Sequence, residues 1–129
     1  MLTTPAELAR GALDAAPDAM IIIDASGIVL YANRQVSALF GYGHDEVIGK
    51  SVEWLMPERF RRRHVGHRED YVRNVRIRPM GAGLELFGRR QDGTEFPIEI
   101  SLSPIQDGNR VLVAAAIRDV ASPSKWRRN

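Results

Sequence analysis

"RRQDGTEFPIEISLSPI", residues 89–105, is the stretch of the sequence that decides the fold. Its apolar residues alternate with polar ones, which predicts a β-strand with one buried face. The alternating residues are Phe96, Ile98, Ile100 and Leu102. Turn sequences at Asp92–Gly93 and Asp107–Asn109 separate this strand from "LELFGRR" before it and "RVLVAAAIRDV" after it. The C-terminal half of the chain therefore predicts a three-stranded antiparallel meander.

The N-terminal residues predict a helix followed by two more strands. "TTPAEL" has the features of a helix start, with Thr4 as the cap, Pro5 at the first position and Glu7 completing a capping box. The helix should run to about Asp14. "AMIIIDASGIVLYAN" then predicts two short strands joined by a turn at Asp24–Gly27.

The middle of the chain is predicted to be helical. Asn33 is expected to cap the short helix "RQVSALFGYG". Two helical turns should follow, one ending at Gly49 and one beginning at Ser51, before residues 58–74 form four turns. The predicted fold class is α+β, with a five-stranded antiparallel sheet, helices on one face and an N-terminal helix.

Composition narrows the classes of function. The 129 residues carry a net charge of +2, with 44% hydrophobic and 26% charged residues, as expected for one globular domain. The absence of cysteine excludes disulfides, cysteine-ligated zinc, iron–sulfur clusters, thiol nucleophiles and a flavin–cysteinyl photoadduct. No apolar run approaches the roughly 20 residues of a membrane span, and the N-terminus does not resemble a signal peptide, so a cytoplasmic location is expected. No catalytic constellation is apparent, and the chain is not expected to be an enzyme.

With its elements in this order, the chain resembles a PAS domain of the S-box type over about residues 10–120. The matching residues are the turn at Asp24 and Gly27, Asn33, "LFGY" at 39–42, "EVIGK" at 46–50, Pro57, "DGTEFP" at 92–97 and "IRDV" at 117–120. The resemblance implies a PAS fold and a sensory or signal-transduction role. It divides the chain into an N-terminal helix (1–15), the PAS domain (16–120) and a polar tail (121–129). PAS domains commonly continue into a signalling helix, whereas this chain places Pro123 in that path.

The helix predicted at 58–74 presents two different faces. Phe60, His64, His67 and Tyr71 follow steps of four, three and four residues, which places them on one stripe. The arginines are expected to point elsewhere, mostly outward, as a solvated face; they are Arg61, Arg62, Arg68 and Arg73. The resemblance implies that the stripe looks into a ligand cavity.

The stripe is similar in part to that of oxygen-sensing haem PAS domains in certain histidine kinases and phosphodiesterases. In those domains the proximal iron ligand is a histidine shortly after a Met-Pro boundary, and "MPERFRRRH" puts His64 at that position. The arginine that one haem subgroup uses on the distal side corresponds here to Leu84, while Met80 could reach over the cofactor. Ala115 would leave room for a flat macrocycle, and His67 or Arg76 could meet a propionate. The candidate cofactor-binding residues are His64, His67, Tyr71, Met80, Leu84, Ile100 and Ala115, with His64 a metal ligand only if haem is bound.

Three interpretations remain open for this site: haem, another small ligand, or no tightly bound cofactor. The leading functional hypothesis is a sensor that binds a small ligand or haem and signals through dimer packing, and the alternative is a cofactor-free dimerisation or protein-interaction module. The arginines at 59–63 and the tail at 125–128 raise a nucleic-acid role, which the lack of a recognised reading element does not favour.

The composition of the last strand indicates where a partner subunit would bind. It is apolar on both faces, so both should be covered. The outer face, assigned to Val111, Val113 and their neighbours, is expected to form a homodimer together with Leu8 and Leu13 of the N-terminal helix. An output kinase or another effector domain is the expected downstream partner, and no contact with a membrane is expected.

Overall fold

A computed structural model gives the fold of this chain and describes residues 3–43, 45–73, 77 and 86–120. The helices are α1 (Pro5–Ala15), α2 (Arg34–Phe40) and α3 (Glu58–Arg73), with a 3₁₀ helix at Val52–Leu55. The strands are β1 (Ala19–Ile23), β2 (Val29–Ala32), β3 (Leu86–Arg89), β4 (Glu95–Asp107) and β5 (Arg110–Asp119). The predicted turns at Asp24–Gly27 and Asp92–Gly93 separate strands as expected.

The five strands form one antiparallel sheet in the order β2-β1-β5-β4-β3. The first and last strands therefore meet at its centre, where Ile21 pairs with Ala115. Ala115 also pairs with Leu102 of β4 on its other side. The predicted α+β class and five-stranded antiparallel sheet are confirmed.

The core lies between the sheet and the segment from α2 to α3. Its apolar residues include Ile21, Val36 and Phe40, which are each 1% exposed. The Phe40 ring lies 5.5 Å from the ring of Phe96, at a tilt of 58°. This layer of helices on one face of the sheet sets the position of α3, and α3 supplies most of the polar residues of the site described below.

The assignment of Val113 to the outer face of the sheet was wrong. Val113 pairs with Ile23 and belongs to the core cluster, with 4% of its surface exposed. Because side chains alternate along a strand, Leu112, Ala114 and Ala116 are the residues of β5 that face outward. Their position opposite the core makes them the candidates for an interface.

α1 begins as predicted, with a capping box between Thr4 and Glu7. The helix buries none of its residues, and Leu8 is 67% exposed. Three hydrogen bonds hold its C-terminal end, one of them from the Arg34 N–H to Asp14 Oδ1 at 3.3 Å. The Asn33 side chain donates to the Leu13 carbonyl at 2.8 Å, and the Tyr31 hydroxyl donates to Asp14 at 2.9 Å.

Asn33 has a different role from the one predicted. It occupies the cap position of α2, yet its side chain makes no capping hydrogen bond. Its Oδ1 accepts from the Met20 N–H at 2.9 Å, and its Nδ2 donates to the carbonyls of Leu13 and Asp18. The side chain is fully buried, so it joins the end of α1 to β1 inside the protein.

The helical turn predicted to end at Gly49 is also wrong, because residues 45–50 form non-helical turns. The backbone of this segment bonds to β2 instead. The Gly49 N–H donates to the Val29 carbonyl at 2.8 Å, and the Val29 N–H donates to the Lys50 carbonyl at 2.9 Å. Gly49 has a φ of 86°, which favours glycine at this reversal. The following turn, capped by Ser51, is confirmed as the 3₁₀ helix.

Candidate functional site

A cavity of about 70 Å³ lies between α3 and the core face of the sheet. One side is apolar and consists of Ile23, Leu86, Ile100, Leu102 and Val113. The other side is polar and consists of Asp24 together with His64, His67, Arg68 and Tyr71 from α3. We call this space the inner chamber.

A second space of about 130 Å³, the outer groove, adjoins the inner chamber. His64, His67 and Leu86 line both spaces and therefore form the partition between them. The remaining wall of the groove contains Met56, Phe60, Arg63 and Phe87. Phe60 and Phe87 stack almost in parallel, with ring centroids 5.8 Å apart. This stack attaches the start of α3 to β3.

Glu53 of the 3₁₀ helix is a buried carboxylate, 6% exposed, that binds α3. Its Oε2 lies 2.6 Å from His64 Nδ1 and accepts from Arg68 Nε at 3.0 Å. Its Oε1 accepts from the Ser51 hydroxyl at 2.6 Å and from Arg68 Nη2 at 3.3 Å. Burial raises the pKa of Glu53, but the hydrogen bonds from His64, Arg68 and Ser51 outweigh burial and hold the pKa at about 2. The carboxylate is therefore ionised at neutral pH.

Arg68 joins this network to the β1–β2 turn. Its Nη1 donates to the Ala25 carbonyl at 3.1 Å, and its side chain is 13% exposed. The turn approaches it closely: a Cβ on Gly27, whose φ is 84°, would lie 2.5 Å from Arg68 Nε. The prediction that Arg68 points outward with the other arginines was wrong. An internal carboxylate draws the guanidinium inward, since a buried charge requires a partner.

The structure places the predicted site residues in three groups. His64, His67, Tyr71 and Ile100 all line the inner chamber. Ala115 lies in the core, 4% exposed, and is not part of the chamber wall. Met80 and Leu84, like Arg76, lie outside the described residues.

Glu53, Arg68 and Asp24 are site residues that sequence reasoning missed. The spacing of His64 and Arg68, four residues apart on a helix, was the available signal, because such a pair shares a face. Glu53 lies eleven residues before His64 in a different element, and nothing in the local pattern indicates their contact.

Comparison with known proteins identifies the family. The family model described as PAS domain matches residues 17–122. The chain belongs to the PAS domain family. It is 36% identical over 111 residues to the sensor protein FixL of Bradyrhizobium diazoefficiens, covering 86% of this chain and 22% of FixL. It is 28% identical over 116 residues to the cell-division control histidine kinase PdhS of Brucella ovis, covering 90% of this chain and 11% of PdhS.

Solved PAS structures share the fold. The PAS domain of a Colwellia psychrerythraea protein superposes with a TM-score of 0.76 at 24% identity, covering 91% of this chain and 98% of that one. This PAS domain is thus a sensory domain of the kind found in sensors and histidine kinases. It spans less than a quarter of the length of FixL and of PdhS. Among the helices that the structure describes, none is long and apolar enough to cross a membrane.

The residues of this PAS domain fit haem in donor chemistry but not in space. His64 has the second contact that orients a ligating imidazole, since its Nδ1 pairs with the Glu53 carboxylate. The inner chamber of about 70 Å³ is, however, about half the size of a cavity that holds benzene. A macrocycle would require α3 to lie farther from the sheet. The exclusion of a cysteinyl photoadduct rests on the absence of cysteine and stays a prediction.

Proposed function

We propose that this PAS domain senses a small ligand held between α3 and the sheet. The observation that carries the proposal is the inner chamber itself, where His64, His67 and Arg68 face a wall of apolar strand residues. Protein cores are normally packed without such spaces, and ionised side chains normally avoid them. A chamber with an apolar wall and a few convergent polar groups is the usual form of a ligand site.

A ligand in the inner chamber would affect the rest of the fold through the hydrogen bonds of α3. His64 and Arg68 share the Glu53 carboxylate, and Arg68 also binds the Ala25 carbonyl in the β1–β2 turn. A ligand that displaces either side chain changes how α3 is attached to the 3₁₀ helix and to this turn. Such a ligand shifts the equilibrium only by the difference between its affinities for the two arrangements.

The test compares adjacent residues on the two faces of β5. Val113→Phe fills the inner chamber, whereas Leu112→Phe adds the same ring on the opposite face. Native mass spectrometry of the purified wild type should show a bound small molecule that Val113→Phe loses and Leu112→Phe keeps. A wild type that carries no additional mass, with unchanged thermal stability in Val113→Phe, would favour the cofactor-free module instead.

Haem is the second candidate, supported by the pairing of His64 with a buried carboxylate, and it requires α3 to lie farther from the sheet than it does in this structure. When bound, haem would supply a redox-active iron that binds diatomic gases, with His64 as the protein ligand. Protein produced with haem available should then show a Soret band that is lost in His64→Ala and kept in His67→Ala. A band of equal intensity in both variants, or in neither, would remove His64 as the ligand.

The signal is proposed to leave through a homodimer. The outer face of the sheet presents Met20 and Ile22 of β1 beside Ala114 and Ala116 of β5, in direct register. In its contacts with the described residues, α1 is attached through hydrogen bonds at its C-terminal end, and it buries no residue of its own. A second copy would cover both surfaces, and a histidine kinase region is the proposed output, since relatives such as PdhS carry that name.

A charge on the outer face tests the dimer. Ala114→Arg should produce a monomer in sedimentation velocity, because an unpaired guanidinium would be buried in the interface. Arg62→Glu, on the exposed side of α3, is the control and should leave assembly unchanged. If Ala114→Arg associates as tightly as the wild type, the sheet face is not the interface. Removal of residues 1–15 tests the part played by α1 in the same way.

A further inference from the structure

The inner chamber and the outer groove together point to one ligand chemistry. We infer that the site takes an amphipathic acid: a short apolar chain that enters the inner chamber and a carboxylate that stays in the outer groove beside Arg63. The inference rests on the proposed ligand function and adds the class of ligand and its orientation.

The inner chamber disfavours an anion. Among the described residues that line it, Arg68 supplies the guanidinium, which Glu53 already neutralises at 3.0 and 3.3 Å. Asp24 lines the same space and its Oδ1 accepts from the backbone N–H groups of Ser26 and Ile28, so an added anion would lie near a second negative charge. The apolar strand residues on the opposite side, including Ile100 and Leu102, suit an alkyl chain.

The outer groove favours an anion. Arg63 forms part of its wall, and the contact that the structure gives its guanidinium is with the Phe60 ring, 5.5 Å from the centroid. Within the described part of the chain, Arg63 has no hydrogen bond and no ion pair, whereas nearby Arg59 is paired with Glu95 at 2.7 and 2.6 Å. A carboxylate in the groove would give Arg63 the partner that its neighbour already has.

The partition consists of the side chains that line both spaces. His64, His67 and Leu86 separate the two spaces, and His67 makes no hydrogen bond to the described residues. Rotation of His67 and Leu86, with His64 still bonded to Glu53, would join the inner chamber of about 70 Å³ to the outer groove of about 130 Å³. Since a cavity of about 150 Å³ binds benzene, the joined space suits about eight non-hydrogen atoms. Hexanoate has that size.

The experiment compares two probes that differ in charge and little in shape, hexanoate and hexanamide. Each is titrated into methyl-labelled protein while the methyl signals of Ile100, Leu102 and Val113 are followed by NMR. Both probes should move these signals, and hexanoate should bind about fivefold more tightly, the upper range for a partly exposed ion pair. Salt should reduce the difference, because the pair lies near solvent.

Two arginine variants decide the role of the groove. Arg63→Gln should abolish the preference for hexanoate, whereas Arg62→Gln, whose residue lines neither space, should keep it. Equal affinity of the two probes, or an undiminished preference in Arg63→Gln, would overturn the inference. If neither probe moves the methyl signals while Val113→Phe still displaces a natural ligand in mass spectrometry, the amphipathic acid is wrong and the proposed function stands.

Discussion

Replacing Glu53 with glutamine tests the network that holds α3 in place. The substitution keeps the size of the side chain and removes its charge, so Arg68 loses the anion that pairs with it in a site where it is 13% exposed. Hydrogen bonding holds the pKa of Glu53 at about 2 rather than its ordinary 4.5. Since one pKa unit corresponds to about 1.4 kcal/mol, Glu53→Gln should lower the free energy of unfolding at pH 7 by about 3 kcal/mol.

The same pKa fixes the direction of the pH dependence. A carboxyl whose pKa is lower in the folded protein stabilises the fold above its unfolded pKa, and this contribution disappears as the pH falls toward the folded pKa. The difference in stability between wild type and Glu53→Gln should therefore be constant above about pH 5 and shrink between pH 4.5 and about 2.

Urea unfolding followed by tryptophan fluorescence measures this difference, because Trp54 stacks on Tyr42 within the same segment, with centroids 4.4 Å apart. Glu95→Gln is the matched control: it breaks an ion pair with Arg59 on the surface and should change stability little. A loss below about 1 kcal/mol at pH 7 in Glu53→Gln, or a loss that is the same at pH 3, would refute the assignment of Glu53 as the anchor of α3.

Three further substitutions test the packing around the site. Gly88→Ala should destabilise the protein by about 1–3 kcal/mol in urea titrations, because the new Cβ would lie 2.9 Å from Phe96 Cζ and 3.0 Å from Phe40 Cε1. Gly66→Ala is the control: its Cβ meets nothing within 4 Å, so the substitution should be neutral or stabilising. Gly27→Ala should lower the melting temperature more than Gly49→Ala. Their φ angles are nearly equal, 84° and 86°, but only the Cβ at position 27 would meet Arg68. Equal decreases in melting temperature would mean that this contact is unimportant. Asn33→Ala should lower the free energy of unfolding by about 3 kcal/mol, since it leaves the Met20 N–H and two carbonyls without their partner. It should also speed hydrogen exchange in α1; unchanged exchange would assign the attachment of α1 to the hydrogen bonds that Asp14 accepts from Tyr31 and Arg34.

Much of the candidate site was predictable because it depends on periodicity. Steps of four and three residues on α3 place His64, His67 and Tyr71 on one stripe, and all three line the inner chamber. Alternation along β4 likewise places Ile100 on the facing wall. Such patterns are local, and the chain carries them before any tertiary contact forms.

The predictions from periodicity failed for residues whose role depends on a partner that is distant in the sequence. Arg68 points inward because Glu53, fifteen residues earlier in another element, is buried beside it. The Asn33 side chain does not cap α2, because its amide bonds instead to the Met20 N–H and to the Leu13 carbonyl at the end of α1. In each case a long-range hydrogen bond in a site shielded from water outweighs a local preference worth about 1 kcal/mol.

By itself the amino-acid sequence determined the fold class, the number of strands and their order along the chain, the length of α3 and the stripe that faces the sheet. Strand alternation, turn residues and helix-start signals are short-range properties that each segment expresses independently. Only the tertiary structure decided that Glu53 anchors α3, that Val113 faces inward, and that His64 lies between the inner chamber and the outer groove. These features depend on which segments meet across the sheet, and burial gives charged and polar groups there a strong requirement for partners.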